Sequence, residues 1–140
     1  SKSCVWLYIY YLLYYEKQFI YSIYVAGGGA LGASLRFFIS SICKVYFPYF
    51  PIGTLIVNII GSFFIGLLAN FLNSKEISEL FIKYFVIIGL LGSFTTFSAF
   101  SIETIDLIKE GRVSLSLIYI ILSFTLSISA AFLGFFLNKF

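Results

Sequence analysis

Hydrophobic positions along this chain gather into long unbroken runs rather than into stripes. Four windows stand out, about Phe19 to Cys43, Ile52 to Leu72, Phe81 to Ile102 and Leu115 to Leu137. Each is near the roughly 20 residues a helix needs to cross a bilayer. None alternates as a half-buried strand does, and none carries the one-sided pattern of a soluble amphipathic helix. Between them lie "KVYFPYFP" with Pro48 and Pro51, "NSKEISE" and "ETIDLIKEGRVS", short, polar or proline-marked as helix connections are. The pattern predicts an all-α membrane protein with four transmembrane helices per subunit, forming one transmembrane domain over residues 20–140.

Residues 1–19, "SKSCVWLYIYYLLYYEKQF", stand apart as an amino-terminal extension of unclear role. Their aromatic run, Val5 to Tyr15, is too short to span, and no small-x-small cleavage site precedes the next apolar segment, which argues against a secretory leader. An interfacial segment is one reading, because Tyr and Trp favour the headgroup level. Sequence upstream of the natural start is the other.

Composition sharpens the class. With 61% hydrophobic and 11% charged residues and a mean hydropathy of +1.04, the chain carries more apolar surface than one small soluble domain can bury. A net charge of +3, scattered at the span ends, excludes a nucleic-acid partner. Cys4 and Cys43 have no C-x-x-C spacing and no His to join them in a metal site, so both read as bystanders.

The charges also bear on assembly. Four spans put both termini on one side, so Lys2, Lys17, Lys75, Lys83 and Lys139 face one compartment and Arg36, Lys44, Lys109 and Arg112 the other, five against four. The positive-inside rule orients a chain through asymmetry, and here almost none exists. A chain that inserts both ways predicts an antiparallel dual-topology homodimer with a self-complementary interface. A single orientation set by some other signal is the alternative.

Polar residues inside the spans are the candidates for function. In "GTLIVNIIGSFFIG", Asn58 puts a carboxamide at membrane depth, either as glue between helices or as a pore-facing donor for an anion. In "GGGALGASLRFF", Arg36 either snorkels to the interface or lines a watery vestibule. In "SLSLIYIILSFTLSISAAF", Thr125 and Ser129 are four apart with Tyr119 near their stripe, and Ser123 and Ser127 form a second pair. Such hydroxyls either bond the carbonyl a turn back or offer successive donors along the membrane normal.

The third window reads "FVIIGLLGSFTTFSAFSIE". Gly89, Gly92 and Ser93 are placed to let the helix break in its middle, freeing carbonyls that hydrocarbon does not satisfy and that would bind something, most simply a cation. Phe94, Phe97 and Phe100 then recur every three residues beside the hydroxyls of Thr96 and Ser98. Such a stripe is usually core packing, yet phenyl edges are positive and can favour an anion without trapping it.

Together "GGGALGASLRF", "GTLIVNIIGSFFIG" and "GLLGSFTTFSAFSIE" closely resemble, in order and separation, the signature segments of the Fluc (CrcB) fluoride channels. The resemblance covers about Tyr21 to Asn138. It implies a fluoride-selective channel of the cell membrane, a multi-pass protein that exports fluoride passively from the cytoplasm. It also implies two inverted subunits around a central sodium ion at broken third helices. On this resemblance Asn58, Thr96, Phe97, Ser98 and Phe100 line the fluoride pathway, joined less firmly on the fourth span by Tyr119, Thr125 and Ser129, with Ser123 and Ser127 as substitutes. Arg36 and Glu103 fall at the vestibule, and the backbone carbonyls of Gly92 and Thr95 hold the sodium. Ala99 departs from the "TTFSTF" form that is commoner in the family and puts one side-chain contact in doubt.

Two rivals follow from other classes. A small dual-topology multidrug or cation exporter would need a titratable carboxylate deep in a span, and none of the six acidic residues lies in one. Glu103 comes nearest, at a span end. An intramembrane enzyme would need a nucleophile and base, paired carboxylates or metal ligands at depth, in a chain without His. Glu103 and Asp106 read instead as a solvated helix end, so no enzyme is expected.

Overall fold

The computed structural model describes residues 2–139, Lys2 by its backbone alone. The expected ranges 1–19 and 20–140 therefore end on residues outside this set, Ser1 and Phe140, and the Lys2 charge also lies outside it. Every regular element among the described residues is helical.

Helix α1 runs from Lys2 to Tyr46 without interruption, 45 residues. The expected first span lies inside it, and the amino-terminal extension continues the same helix through Glu16, Lys17 and Gln18. All three are good helix formers, so their polarity marks an edge of the apolar run but not of the helix. The helix stops just before Pro48, whose ring disfavours helical geometry in the residue ahead of it.

Helix α2, Ile52–Leu67, follows Pro51. Its 16 residues cover about 24 Å at 1.5 Å per residue. Two 3-10 segments, Ala69–Asn73 and Ile77–Glu79, lead into a π-helix, Phe81–Leu91, and a short turn α3, Gly92–Phe94. Helix α4, Phe97–Lys109, closes on Gly111, whose φ of +76° is the left-handed conformation that ends helices cheaply only at glycine. Helix α5 is Val113–Leu137.

By length and composition three helical runs can cross a membrane, Ser3–Tyr46, Ile77–Lys109 and Val113–Leu137, with α2 shorter. The exposed surface is dense in large apolar side chains, as a lipid-facing surface is. α1 packs on the π-helix, and α2 on α5. A small core of Leu55, Phe100, Leu107 and Tyr119 ties α2, α4 and α5 together.

The expected break at Gly89, Gly92 and Ser93 is displaced. Those residues stay helical, and the backbone extends instead at Thr95, with φ −81° and ψ 153°, and Thr96, with φ −152° and ψ 127°. The reason lies in what the glycines and threonines do. Gly89 serves packing, since a Cβ there would stand 2.8 Å from the Val25 carbonyl oxygen and 3.0 Å from Gly28 Cα on α1. Thr96 stops the helix because its hydroxyl accepts from the Ala99 amide and caps α4.

Small residues set the helix spacing elsewhere too. A Cβ on Gly66 would overlap the Ala131 carbonyl, and one on Gly134 would overlap the Phe63 carbonyl, so α2 and α5 touch backbone to backbone at reciprocal points. Gly134→Val is expected to force the two helices apart at a cost of about 1–3 kcal/mol. A thermal-unfolding scan in detergent checks this, with a clearly lowered midpoint as the expected result.

Candidate functional site

The extended residues Thr95 and Thr96 leave peptide groups that a continuous helix would have paired internally. The structure accounts for them one by one. Asn58 on α2 clasps Thr96 from both sides: its Nδ2 donates to the Thr96 carbonyl at 3.0 Å, and the Thr96 amide donates to its Oδ1 at 2.7 Å. Arg36 on α1 donates from Nε to the Ser93 carbonyl at 3.0 Å. Asn58 therefore acts first as a backbone partner, with one N–H of its amide left over.

Two carbonyls lose their helical donors in the process. The Thr96 amide, which would close a turn on Gly92, goes to Asn58, and the Ala99 amide, which would close on Thr95, goes to the Thr96 hydroxyl at 3.1 Å. Gly92 is exposed on the outside of the single chain, and Thr95 is half-buried.

Beside this segment lies a cavity of about 410 Å³, bounded by Asn58, Thr95, Phe97, Phe100, Ser123 and Ser127. Phe97 and Phe100 stand 5.3 Å apart between ring centres, and Phe124 meets Phe100 edge to face at 5.9 Å. Ser123 Oγ and Ser127 Oγ are buried and have no hydrogen-bond partner among the described residues. That is unusual, since a hydroxyl in a membrane helix commonly bonds the carbonyl a turn back. Thr125 does so, donating to Ile121 at 2.6 Å.

The fourth-helix residues therefore sort differently from expectation. Thr125 and Ser129 are exposed and do not line this cavity, whereas Ser123 and Ser127 do. The signal was in the spacing. Ser123 and Ser127 stand four and eight residues after Tyr119, on its own face, while Thr125 and Ser129 stand six and ten after it. Thr54 and Phe124 are the residues that sequence reasoning missed.

A second cavity of about 400 Å³ opens further along α4, lined among others by Arg36, Lys44, Thr54, Ala99, Glu103 and Asp106. Glu103 accepts from Thr54 Oγ1 at 2.8 Å and from Tyr119 Oη at 2.7 Å. This corrects the reading of Glu103 as a merely solvated helix end. Tyr119 is wholly buried, with its ring 5.1 Å from Phe100, so it links the two cavities rather than lining either. Ser98 is exposed, its hydroxyl 3.1 Å from that of Thr96.

Comparison with known proteins now bears on this arrangement. Residues 23–135 match the family model described as CrcB-like protein, Camphor Resistance (CrcB). The chain belongs to the CrcB family. It is 42% identical over 124 residues to a "Fluoride-specific ion channel FluC" of Aliivibrio salmonicida, covering 88% of this chain and 98% of that one. A protein of the same name in Agrobacterium fabrum is 40% identical over 116 residues, covering 82% and 93%. Another in Rhizobium meliloti is 44% identical over 111 residues, covering 79% and 89%. Membership, together with its apolar helices, makes this CrcB-family chain a multi-pass protein of the cell membrane.

The clasp makes a local prediction. Asn58→Leu removes the partners of both the Thr96 N–H and the Thr96 carbonyl while keeping bulk, at about 1–3 kcal/mol for each group left unsatisfied. Hydrogen exchange read by mass spectrometry is expected to speed up across Thr95–Ala99 and to stay unchanged in α5.

Proposed function

We propose that this protein is a fluoride-selective ion channel that exports fluoride passively from the cytoplasm and so confers fluoride resistance. The observation that carries the reading is the convergence of Asn58, Phe97, Phe100, Ser123 and Ser127 on one cavity, in a chain similar along most of its length to proteins named as fluoride-specific channels. Fluoride is small and strongly hydrated, so a selective path replaces its water with several weak donors and positive ring edges at once. The free N–H of Asn58, the unpaired hydroxyls of Ser123 and Ser127 and the edges of Phe97 and Phe100 are of this kind. Thr96 and Ser98 add hydroxyls at the start of α4, where the helix dipole is positive. Arg36 and Glu103 belong to the vestibule, and Tyr119 positions Glu103. A channel converts no substrate chemically, so the protein is not an enzyme.

The working unit in this reading is an antiparallel dual-topology homodimer of four-span subunits, each with its third span interrupted at Thr95–Thr96. Several features support it. The charges are nearly even on the two sides, five against four. Gly92 is exposed in the single chain, and Phe97 is 68% exposed, though both line the same cavity, so a second surface would enclose them. The apolar run of α2 continues through Ala69–Asn73, which lengthens a helix otherwise short for a span.

A structural sodium ion fits the donor set. The Gly92 and Thr95 carbonyls are neutral oxygens whose helical amides are bonded elsewhere, as a hard cation prefers. Bound there, sodium would supply positive charge that offsets the desolvation of an anion and would join two copies through their carbonyls.

Proteoliposomes loaded with fluoride and read with a fluoride electrode test the function. Wild type is expected to release fluoride much faster than chloride, and equal rates for the two would refute selectivity. Phe97→Ile and Asn58→Asp are each expected to abolish release while the dimer survives on a sizing column. Unchanged release in both would remove those side chains from the pathway.

The fourth helix gives a sharper comparison. Ser123→Ala with Ser127→Ala is expected to slow fluoride release about tenfold to a hundredfold, the scale of one to two lost hydrogen bonds in a barrier. Thr125→Val with Ser129→Ala is expected to leave it unaltered, and the reverse pattern would hand the pathway to the other face.

A further inference from the structure

Residues 3–18 of α1 take no part in either cavity. Helix α1, at 45 residues, is about 68 Å long, roughly twice the 30 Å hydrocarbon thickness. Its contact with the third span begins at Tyr21, stacked on Tyr84 at 4.1 Å, and residues 3–20 are all exposed. A rigid continuation into water would leave Trp6 and Leu13, 72% and 54% exposed, hydrated along with the rest of the segment, against the usual direction of apolar burial.

The segment has a two-faced order that its high overall apolarity hides. At 100° per residue, Val5, Trp6, Ile9, Leu12 and Leu13 share one side, at the i, i+4, i+7, i+8 spacing of a continuous stripe. Tyr8, Tyr10, Tyr11, Tyr14 and Tyr15 share the other, with Leu7 the one aliphatic residue among them. Neighbouring tyrosines pack edge to face, Tyr10 with Tyr11 at 6.3 Å and Tyr14 with Tyr15 at 6.0 Å. An aliphatic strip opposite a row of phenol hydroxyls matches the boundary between acyl chains and headgroups, where tyrosine partitions best. Neither water nor the bilayer centre suits both faces.

We propose that residues 3–15 lie along the phospholipid headgroup level as an interfacial anchor. The aliphatic strip faces the acyl chains, and the tyrosine hydroxyls hydrogen-bond to phosphate and ester oxygens. Lying there would bend α1 at Glu16, Lys17 and Gln18, the longest polar run in the helix, away from the continuous course it holds in the single chain, and Lys17 would reach lipid phosphates at the bend. The anchor fixes how far α1 is drawn through the membrane without touching the anion path. This depends only on the chain being a membrane protein, so it stands or falls apart from the channel reading.

Trp6 is the sole tryptophan, so its fluorescence reports this segment alone. The full chain in phospholipid vesicles is titrated with aqueous acrylamide and, separately, prepared with lipids brominated high on the acyl chain or near its end. The expected result is strongest quenching by the shallow bromines and weak quenching by acrylamide. Dominant acrylamide quenching would mean a helix projecting into water. Strongest quenching by the deep bromines would mean a span, and insensitivity to all quenchers would mean that protein, such as a second copy, covers the site; each overturns the proposal. Ile9→Glu with Leu12→Glu is expected to shift quenching from lipid to acrylamide while fluoride release stays at the wild-type rate. An unchanged quenching pattern in that variant would refute the aliphatic strip as the buried face.

Discussion

Much of the architecture depends on one side chain satisfying both backbone polar groups of one residue. The carboxamide of Asn58 mimics a backbone unit, giving the Thr96 carbonyl a donor and the Thr96 amide an acceptor. Without water nearby, an unsatisfied peptide group costs several kcal/mol, so a departure from helical geometry inside an apolar run survives only where a neighbour supplies both partners. The clasp lets α4 start afresh with its own cap, and that new start brings Phe97 and Phe100 against Phe124 on α5.

The same constraint explains why the polar groups are tied in pairs. The Arg36 Nε is engaged by the Ser93 carbonyl, and the Glu103 carboxylate by Thr54 and Tyr119. Two ionisable side chains that line one cavity are thus held by neutral partners on different helices instead of by each other. Backbone contact at Gly66 and Gly134 brings α2 close enough to α5 for Asn58 and the serines Ser123 and Ser127 to share one space. Larger residues at those points would overlap the facing backbone and push the two helices apart.

The sequence made the membrane class and the helical character legible because hydrocarbon leaves so few alternatives: long apolar runs with short polar joints admit little else. Boundaries were less legible. Glu16, Lys17 and Gln18 end an apolar run without ending a helix, and glycine in the third window pointed to a break a few residues early, because Gly89 serves the close approach of α1 and not a bend. Asn58, Phe97, Phe100 and Thr96 were visible as a group since three of them sit within five residues, but the clasp was not, being a contact between residues 38 apart in sequence. On α5 two hydroxyl pairs shared a four-residue spacing. Spacing fixes relative position on a helix but not which way the pair faces, and only the register with Tyr119, buried against Phe100, separates Ser123 and Ser127 from Thr125 and Ser129.

That register has an energetic consequence. A donor already bonded within the protein must break that bond to greet an ion, so its net contribution is the difference between two similar interactions. Thr125 is committed to Ile121 in this way, whereas Ser123 and Ser127 are committed to nothing among the described residues. Their burial cost is therefore already present in the resting fold, and on the proposed pathway an arriving anion would relieve it instead of adding to it. Because the donors are neutral, that relief would stay small enough for the ion to leave, which a free guanidinium at the same depth would not allow. Arg36, anchored at Ser93, lines the second cavity, where on the proposed reading its charge would gather anions without binding them along the path.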